Sequence, residues 1–136
     1  MSAPKPRITY LPYGVRYGRP TPLIQVTLFR NEARVSERAL IDSGADASLF
    51  SAAVATQLGI DIERGRRLDT IGWNGARMTI YLHRVGLTIA DFHVSATVGF
   101  SADLQIGFNL LGRYSIFDQL QFCFNDRLRA VLVSSI

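Results

Sequence analysis

The sequence is poor in cysteine and histidine, which argues against several kinds of site. It has 136 residues with one cysteine, Cys123, which cannot form an internal disulfide, and two histidines. Because His83 and His93 have no third ligand in a zinc-binding pattern, we interpret them as strand-surface residues. Cys123 lies in the alternating run 120–124, where a small strand residue is expected rather than a reactive thiol. We therefore expect no metal site, no reactive thiol and no cofactor.

The sequence also lacks a long apolar run and a concentrated basic stripe. No run approaches the roughly 20 apolar residues that cross a bilayer, and residues 1–7 have no apolar segment behind them. We therefore expect no membrane partner and no secretory signal, which favours a cytoplasmic setting. The net charge is +4, and the densest basic cluster, Arg64, Arg66 and Arg67, is predicted to be a solvated loop. No nucleic-acid partner is expected.

Other catalytic signatures are missing. The sequence contains neither a Gly-x-Ser-x-Gly nucleophile elbow nor a phosphate-binding glycine loop. Asp42 and Asp46 are four residues apart across a turn of small residues. We therefore expect that they do not face one cleft as the paired carboxylates of a glycoside hydrolase would.

The composition is that of one globular domain. The sequence is 48% hydrophobic and 19% charged, and its length allows a core without metal or disulfide support. Residues 1–22, which include Pro4, Pro6 and Pro12, are predicted to form an extended N-terminal arm. Residues 23–136 are predicted to form the folded domain.

Alternating apolar and polar residues predict a succession of short strands. Residues 23–29 and 35–41 are expected to form a hairpin around Asn31-Glu32. The clearest helix is predicted at residues 51–58, with Ser51 as its cap and Gly59 after its last turn. Further strands are predicted at 78–82, 85–89, 92–98, 120–124 and 130–133, with a short helix at 114–118. This pattern indicates a mainly β barrel or sandwich with one or two short helices.

The segment Asp42-Ser43-Gly44-Ala45 suggests chemistry. It follows the apolar strand Ala39-Leu40-Ile41, which brings a carboxylate to a point where the chain must turn. The Ser43 hydroxyl can lock that turn, and Gly44 and Ala45 are small enough to let another backbone approach. Asp-Ser-Gly is also ordinary turn chemistry, so this segment alone leaves both interpretations open.

Three motifs, taken together, resemble those of the retroviral-type, or retropepsin-like, aspartic peptidases. A-L-I-D-S-G-A-D at residues 39–46 resembles their active-site loop, and N-L-L-G-R at 109–113 resembles their second motif. Residues 48–59 resemble the strand and helix that follow the loop in cellular members. The resemblance covers residues 23–133. It implies a single-lobe, mainly β acid-protease fold, a closed β-barrel with one or two short helices that functions as a homodimer.

The resemblance also implies a role for each matching residue. Asp42 corresponds to the catalytic aspartate, and Ser43 to the residue whose hydroxyl joins the two active-site loops across the dimer. Gly44 corresponds to a backbone position that contacts peptide. Asp46 corresponds to an acidic residue that anchors substrate main chain, although it could simply accept local backbone hydrogen bonds.

Two further segments receive roles in the same way. Residues 70–81 correspond to the flap that closes over substrate. Leu110, Leu111 and Gly112 correspond to the apolar segment that supports the catalytic loop from beneath. Gly112 could also be a residue that is needed only for packing. The expected substrate contacts are Gly44, Ala45, Asp46, Trp73, Asn74 and Gly75.

The stoichiometry of the chemistry implies two subunits. Hydrolysis by this route needs two carboxylates that share one proton, and the chain has one Asp-(Ser/Thr)-Gly. The expectation is a homodimeric aspartic endopeptidase that acts on peptide or protein substrates, with residues 131–136 as a candidate dimer strand. The alternative is a dimerisation or peptide-binding module without proteolytic activity, which the bulky Trp73 in a flap without a glycine-rich tip would favour.

Overall fold

Strands dominate the fold, as the alternating sequence predicts. The computed structural model describes residues 7–71, 75–104 and 109–136. The strands are β1 Ile8–Pro12, β2 Gly14–Arg16, β3 Arg19–Thr21, β4 Leu23–Arg30, β5 Ala33–Ile41, β6 Leu49–Ser51, β7 Arg66–Ile71, β8 Arg77–Ile89, β9 Phe92–Ser101, β10 Asn109–Leu111, β11 Leu120–Asn125 and β12 Ala130–Ser135. One α-helix, α1 Ala52–Gln57, and a 3-10 helix, Ile62–Arg64, accompany them.

Six strands form a circuit around the core. The hydrogen-bonded order is β4, β5, β10, β6, β9 and β8, and β8 pairs back with β4. Strand β7 extends this sheet as a hairpin with β8. Side chains alternate across β4, so Val26 and Leu28 are buried whereas Gln25 is exposed. The predicted hairpin of β4 and β5 is confirmed, and Asn31 turns the chain with a φ of 55°.

The helix α1 covers one end of this core. Val54 and Ala55 are buried, and Gly59 follows the helix with a φ of 71°, as expected for a residue just after the last turn. Ser51 occupies the predicted N-cap position, but its side chain makes no capping hydrogen bond. No helix within the described residues is both long and apolar enough to cross a membrane.

Three local predictions are wrong. Residues 114–118 form consecutive turns instead of a helix, because Ser115 has a φ of 60°, which a right-handed helix does not accommodate. The strands predicted at 78–82 and 85–89 are one strand, β8, whose first half pairs with β7 and whose second half pairs with β4. The arginine cluster is not a loop: Arg66 and Arg67 begin β7, and Arg64 ends the 3-10 helix.

A second, three-stranded sheet contains both ends of the described chain, in the order β1, β12, β11. Tyr13, just after β1, donates its N–H to the carbonyl of Arg129 and its hydroxyl to Asp126 over 2.7 Å. Burial and this hydrogen bond to Asp126 raise the pKa of Tyr13 to about 12. Both edges of β12 are occupied within the subunit, so this strand offers a partner no free edge, and the role of residues 131–136 as a dimer strand stays a prediction.

Phe100 provides a test of the hydrophobic core, because it is fully buried on β9 between β6 and β8. Its ring centroid lies 6.3 Å from that of Phe50 and 5.9 Å from that of His83. Replacing Phe100 by Ala should lower the free energy of unfolding by about 3–5 kcal/mol, because it leaves a cavity at the centre of the core. Urea denaturation measures this change. The control Leu128→Ala removes an exposed apolar side chain and should have little effect; equal losses in the two variants would contradict the assignment of the core.

Candidate active site

Strand β5 brings Asp42 to the edge of a cleft. Ile41, its last residue, lies beside Leu111 in the parallel pair of β5 and β10, and the Asp42 N–H donates to the Leu111 carbonyl over 2.9 Å. The loop then folds back on the carboxylate: Gly44 donates its N–H to Asp42 Oδ1 over 2.8 Å. A side chain on Gly44 would crowd this oxygen, since its Cβ would lie 3.2 Å away. The half-buried Asp42 carboxylate is therefore oriented by backbone hydrogen bonding.

The segment after β10 supports this loop from beneath. Gly112 is buried and donates its N–H to the hydroxyl of Ser48 over 2.9 Å. A Cβ on Gly112 would collide with the backbone of Ala47, so glycine is required by close approach and not by its own dihedral angles. Leu111 is fully buried, whereas Leu110 lines the cleft. The predicted support residues therefore lie against the Asp42 loop.

Two residues that sequence analysis did not single out hold the same region together. Ser48 is completely buried; besides receiving the Gly112 N–H, its carbonyl accepts the N–H of Gly99 over 2.8 Å. Asn109 is also buried and bridges two strands, donating to the Arg38 carbonyl and accepting the N–H of Ser51. Both residues lie inside the quoted motifs, but only the long-range contacts reveal what they bind.

Asp46 lies close to Arg113. The Arg113 Nη1 is 3.7 Å from Asp46 Oδ1, and both side chains are largely exposed, so the ion pair itself adds little stability. Backbone hydrogen bonds tie the same segments more firmly, from Arg113 to Ala45 over 2.9 Å and from Tyr114 to Asp46 over 2.7 Å. The loop that carries Asp42 is thus attached to the start of the segment 112–119, which contains the turns at 114–119.

A cleft of about 380 Å³ lies between the Asp42 loop and the β7–β8 hairpin. The expectation that Asp42 and Asp46 do not face one cleft is wrong, because the loop reverses through Gly44 and both residues line it. Apolar side chains from the hairpin and from β6 and β10 make up much of the remaining wall. The lining residues are Asp42, Gly44, Ala45, Asp46, Ala47, Leu49, Leu68, Thr70, Ile71, Met78, Ile80, Leu104 and Leu110.

The β7–β8 hairpin occupies the predicted flap position, with Asp69 opposite Thr79 in its register. The hydrogen bond from the Thr79 hydroxyl to Asp69 lowers the pKa of that carboxyl. A carboxyl whose pKa is lower in the folded protein than in the unfolded chain stabilises the fold at pH values above its ordinary pKa. This contribution is lost as the pH falls through the lowered pKa. Gly75 has a φ of 80°, as a tight turn allows. Trp73 and Asn74 lie outside the described residues.

Comparison with known proteins assigns the chain to a family. Residues 24–113, from β4 to the end of the second motif, match the profile of the family described as aspartyl protease. The chain belongs to the aspartyl protease family. No curated protein matches the sequence.

Solved structures show the fold of this aspartyl protease. A retropepsin-like aspartic protease from Rickettsia conorii is 16% identical with a TM-score of 0.67, covering 99% of this chain and 97% of that one. The EIAV protease in complex with the inhibitor HBY-793 is 21% identical with a TM-score of 0.54, covering 72% of this chain and 86% of that one. The predicted mainly β, single-lobe retropepsin-like fold is confirmed, with one short α-helix.

The histidines have hydrogen-bond partners away from Asp42. The Nε2 of His83 lies 2.7 Å from the Ile62 carbonyl, and the Nδ1 of His93 lies 2.8 Å from the Thr88 hydroxyl. Over residues 7–71, 75–104 and 109–136, no group of three or more His, Cys, Asp or Glu side chains is arranged to hold a metal ion.

The contacts beneath the Asp42 loop predict that the Ser48 hydroxyl contributes to stability. Ser48→Ala should lower the free energy of unfolding by about 1–3 kcal/mol, because the buried N–H of Gly112 loses its acceptor. Denaturant unfolding measures this loss. The matched control is Ser36→Ala, which removes an exposed hydroxyl that also makes a hydrogen bond, to Thr27, and should change stability much less. Comparable losses in the two variants would contradict a supporting role for Ser48.

Proposed function

We propose that this aspartyl protease is a homodimeric endopeptidase in which the Asp42 carboxylates of two copies form one catalytic pair. The observation that carries the proposal is the placement of Asp42: half-buried, oriented by Gly44 and Leu111, and lining an apolar-walled cleft beneath a hairpin. One copy supplies one Asp-Ser-Gly, whereas the chemistry requires two carboxylates. A two-fold axis near Asp42 would bring the residue beside its own copy.

The reaction follows from the like charge of the two carboxylates. At about 3 Å separation both cannot be ionised at once, so they share one proton and titrate as a unit. The ionised Asp42 takes a proton from water, and the resulting oxygen nucleophile attacks the scissile carbonyl carbon. The protonated Asp42 of the other copy donates to the carbonyl oxygen. Collapse of the tetrahedral intermediate breaks the C–N bond as the Asp42 that took a proton from water gives it to the nitrogen. The other Asp42 takes back a proton from a hydroxyl of the intermediate, which restores the pair.

The substrate would be an extended peptide lying across both copies. The β7–β8 hairpins of the two subunits would act as flaps, and main-chain hydrogen bonds in the manner of strand addition would hold the peptide. In this arrangement Gly44, Ala45 and Asp46 contact the peptide, with Asp46 able to accept a main-chain N–H. The Ser43 side chain, exposed in the single subunit, would join the two active-site loops.

The first test is peptide cleavage between about pH 4 and 7, where a carboxylate pair sharing one proton is active. Asp42→Asn keeps the shape of the side chain but removes its ionisation, and it should reduce turnover at least about 100-fold. The matched control Asp118→Asn changes an exposed carboxylate in the turns at 114–119 and should retain activity. Cleavage that survives Asp42→Asn would show that Asp42 is not the catalyst. A confirmed dimer that binds peptide without cutting it would instead be a binding module.

The second test asks whether two subunits share one site. Wild-type protein is mixed with Asp42→Asn protein at a fixed wild-type concentration, and cleavage is measured after subunit exchange. Because each mixed dimer has a single ionisable Asp42, activity should fall as mutant is added; at equal amounts about half of the wild-type subunits lie in mixed dimers. Asp118→Asn protein added in the same amounts should not reduce activity. Activity that is independent of added Asp42→Asn protein would contradict a shared pair.

A further inference from the structure

Four strands of the large sheet present one continuous face on the side away from the core. One row across this face consists of residues in register on β5, β4, β8 and β9, namely Arg34, Phe29, Gly86 and Ser95. Successive side chains of a strand point to opposite sides, so alternate residues within 25–29, 34–38, 84–88 and 93–97 share the face with that row. The residues between them point toward the core, as the buried Leu28 does. We call this surface the outer sheet face.

The outer sheet face carries positive charge and no acidic residue. Its basic side chains are Arg34, Arg38, Arg84 and His93, and neither aspartate nor glutamate occupies any of its positions. The three arginines are exposed, and none of the ion pairs within the described part of the chain includes one of them. Guanidinium groups on one surface repel each other and attract carboxylates, which they can bind through two parallel hydrogen bonds. The face is therefore complementary in charge to an anionic partner.

Acidic residues close to this face along the chain lie outside it. Glu37 lies on β5 at a position that alternation directs to the opposite side, and Glu32 lies in the turn between β4 and β5. Asp91 and Asp126 accept hydrogen bonds from hydroxyl groups of the N-terminal segment over 3.0 Å and 2.7 Å. Carboxylates that complement the three arginines would therefore come from a partner.

Two hollows lie side by side on the outer sheet face, and we call them together the outer groove. The hollow of about 390 Å³ is bordered by Phe29 and Arg84, and the hollow of about 560 Å³ by Arg38 and the segment 11–14. They follow residues 84–90 over about 20 Å at roughly 3.3 Å a residue, which accommodates about six residues of extended chain. The outer groove shares no lining residue with the cleft beneath the β7–β8 hairpin, so both can be occupied at once.

An aromatic ring restrains one of the arginines. The Phe29 ring lies across β8 at Gly86, where a Cβ would collide with it. The guanidinium carbon of Arg34 lies over the same ring, 5.5 Å from its centroid. A cation held over an aromatic ring has less rotamer freedom to lose when it binds a carboxylate, so the entropic cost of binding is lower. Arg34 is thus partly preorganised at one end of the outer groove.

The spacing of the arginines suits an extended peptide. Arg34 and Arg38 lie four residues apart on β5, which corresponds to about 13 Å. Arg84 lies beyond Arg34 at the same end of the outer groove, because it precedes Gly86 by two residues on a strand that runs parallel to β5. In an extended peptide, side chains four residues apart are also separated by about 13 Å and point to the same side. Two carboxylates with this spacing can therefore face both ends of the outer groove at the same time.

We propose that the outer groove binds an acidic segment of the protein substrate, an extended stretch with aspartate or glutamate at positions four residues apart. The proposal rests on the proposed function, because a protein cut at Asp42 would supply the segment. Binding there would anchor the substrate outside the catalytic cleft and raise the local concentration of its scissile segment. Nucleic acid is a less favoured occupant, because three arginines neutralise at most about three phosphates and Arg34 covers the Phe29 ring on which a base would stack.

An NMR titration provides the first test. Isotope-labelled Asp42→Asn protein is titrated with a short glycine-serine peptide that carries two aspartates four residues apart. We expect shifts of backbone amides in β4, β5, β8 and β9, and binding that weakens as salt is raised. Arg34→Gln, Arg38→Gln and Arg84→Gln should each raise the dissociation constant about three- to fivefold. The matched control Arg64→Gln, at the exposed end of the 3-10 helix, should leave it unchanged, and the same peptide with two asparagines should not bind.

Charge reversal tests whether the peptide lies along β5. Arg38→Glu should bind the peptide with two aspartates at least about tenfold more weakly than the wild-type groove does. Replacing one of the two aspartates by lysine should restore binding to Arg38→Glu, and replacing the other should not, because only one of them faces position 38. If both lysine peptides bind Arg38→Glu equally, the proposed alignment is wrong.

A linked substrate tests whether the outer groove serves the protease. A peptide that the wild type cleaves is joined to the two-aspartate segment by about 12 glycine and serine residues, whose r.m.s. span is roughly 20 Å. Its KM should be about fivefold lower than that of the two-asparagine version at equal kcat, because the added binding energy is the same in the ground and transition states. This difference should disappear in Arg34→Gln and persist in Arg64→Gln.

The outcomes separate this proposal from the proposed function. If cleavage depends on Asp42 but the titration shows no binding, or equal binding by Arg34→Gln and Arg64→Gln, the protease stands and the acidic-segment site is refuted. If the wild type cleaves no peptide, the proposed function fails, whereas the titration still decides what the outer groove binds. A single-stranded oligonucleotide that binds more tightly than the peptide through the same arginines would refute an acidic peptide as the occupant. Loss of dimerisation in the arginine variants would make the face an interface between copies instead.

Discussion

The parallel pairing of β5 with β10 fixes Asp42, and much of the structure serves to make that pairing possible. Asp42 hydrogen-bonds through its own N–H to Leu111, the last residue of β10, so the carboxylate takes its position from a strand about 70 residues later in the chain. Parallel neighbours need a long crossover connection. Here the connection includes β6, α1 and the β8–β9 pair, so the site forms only when the strand circuit is complete.

Close backbone approach is the second constraint, and it explains the small residues around the site. The chain passes Gly112 beneath Ala45 and Ala47 with no space for a Cβ, while the buried hydroxyl of Ser48 satisfies the Gly112 N–H. Buried polar groups are costly unless they are paired, so the hydroxyl at position 48 and the glycine at position 112 depend on each other. The contacts that support the loop are therefore made by backbone and short side chains, which have little conformational freedom.

The sequence was sufficient to predict the parts of the fold that local pattern encodes. Alternation located β4, β5 and β9, and the motifs located Asp42 and its support. It failed where a distant contact decides the outcome. Residues 114–118 do not form the predicted helix, because Ser115 adopts a positive φ and its hydroxyl bonds to β9. The strands predicted at 78–82 and 85–89 fuse because β8 exchanges one neighbour for another along its length, which no local pattern reveals.

In the candidate site, too, features encoded by local sequence could be predicted and features that depend on distant contacts could not. Asp42, Gly44 and Gly112 could be singled out because they lie in recognisable motifs, and their roles in catalysis and substrate binding stay predictions. The shared cleft of Asp42 and Asp46 could not be predicted, because it depends on the direction in which the loop leaves Gly44. Ser48 was missed for a related reason: a serine just before a short strand has no local sign that its hydroxyl accepts a hydrogen bond from residue 112.

In the proposed dimer, association and catalysis are thermodynamically linked. A peptide that lies across both copies binds the dimer and not the separate subunits, so it must stabilise the dimer by mass action. The Asp42 loop is bonded to the segment after β10, because Arg113 and Tyr114 donate their N–H groups to Ala45 and Asp46. A substrate that holds the loop would therefore restrain that segment as well.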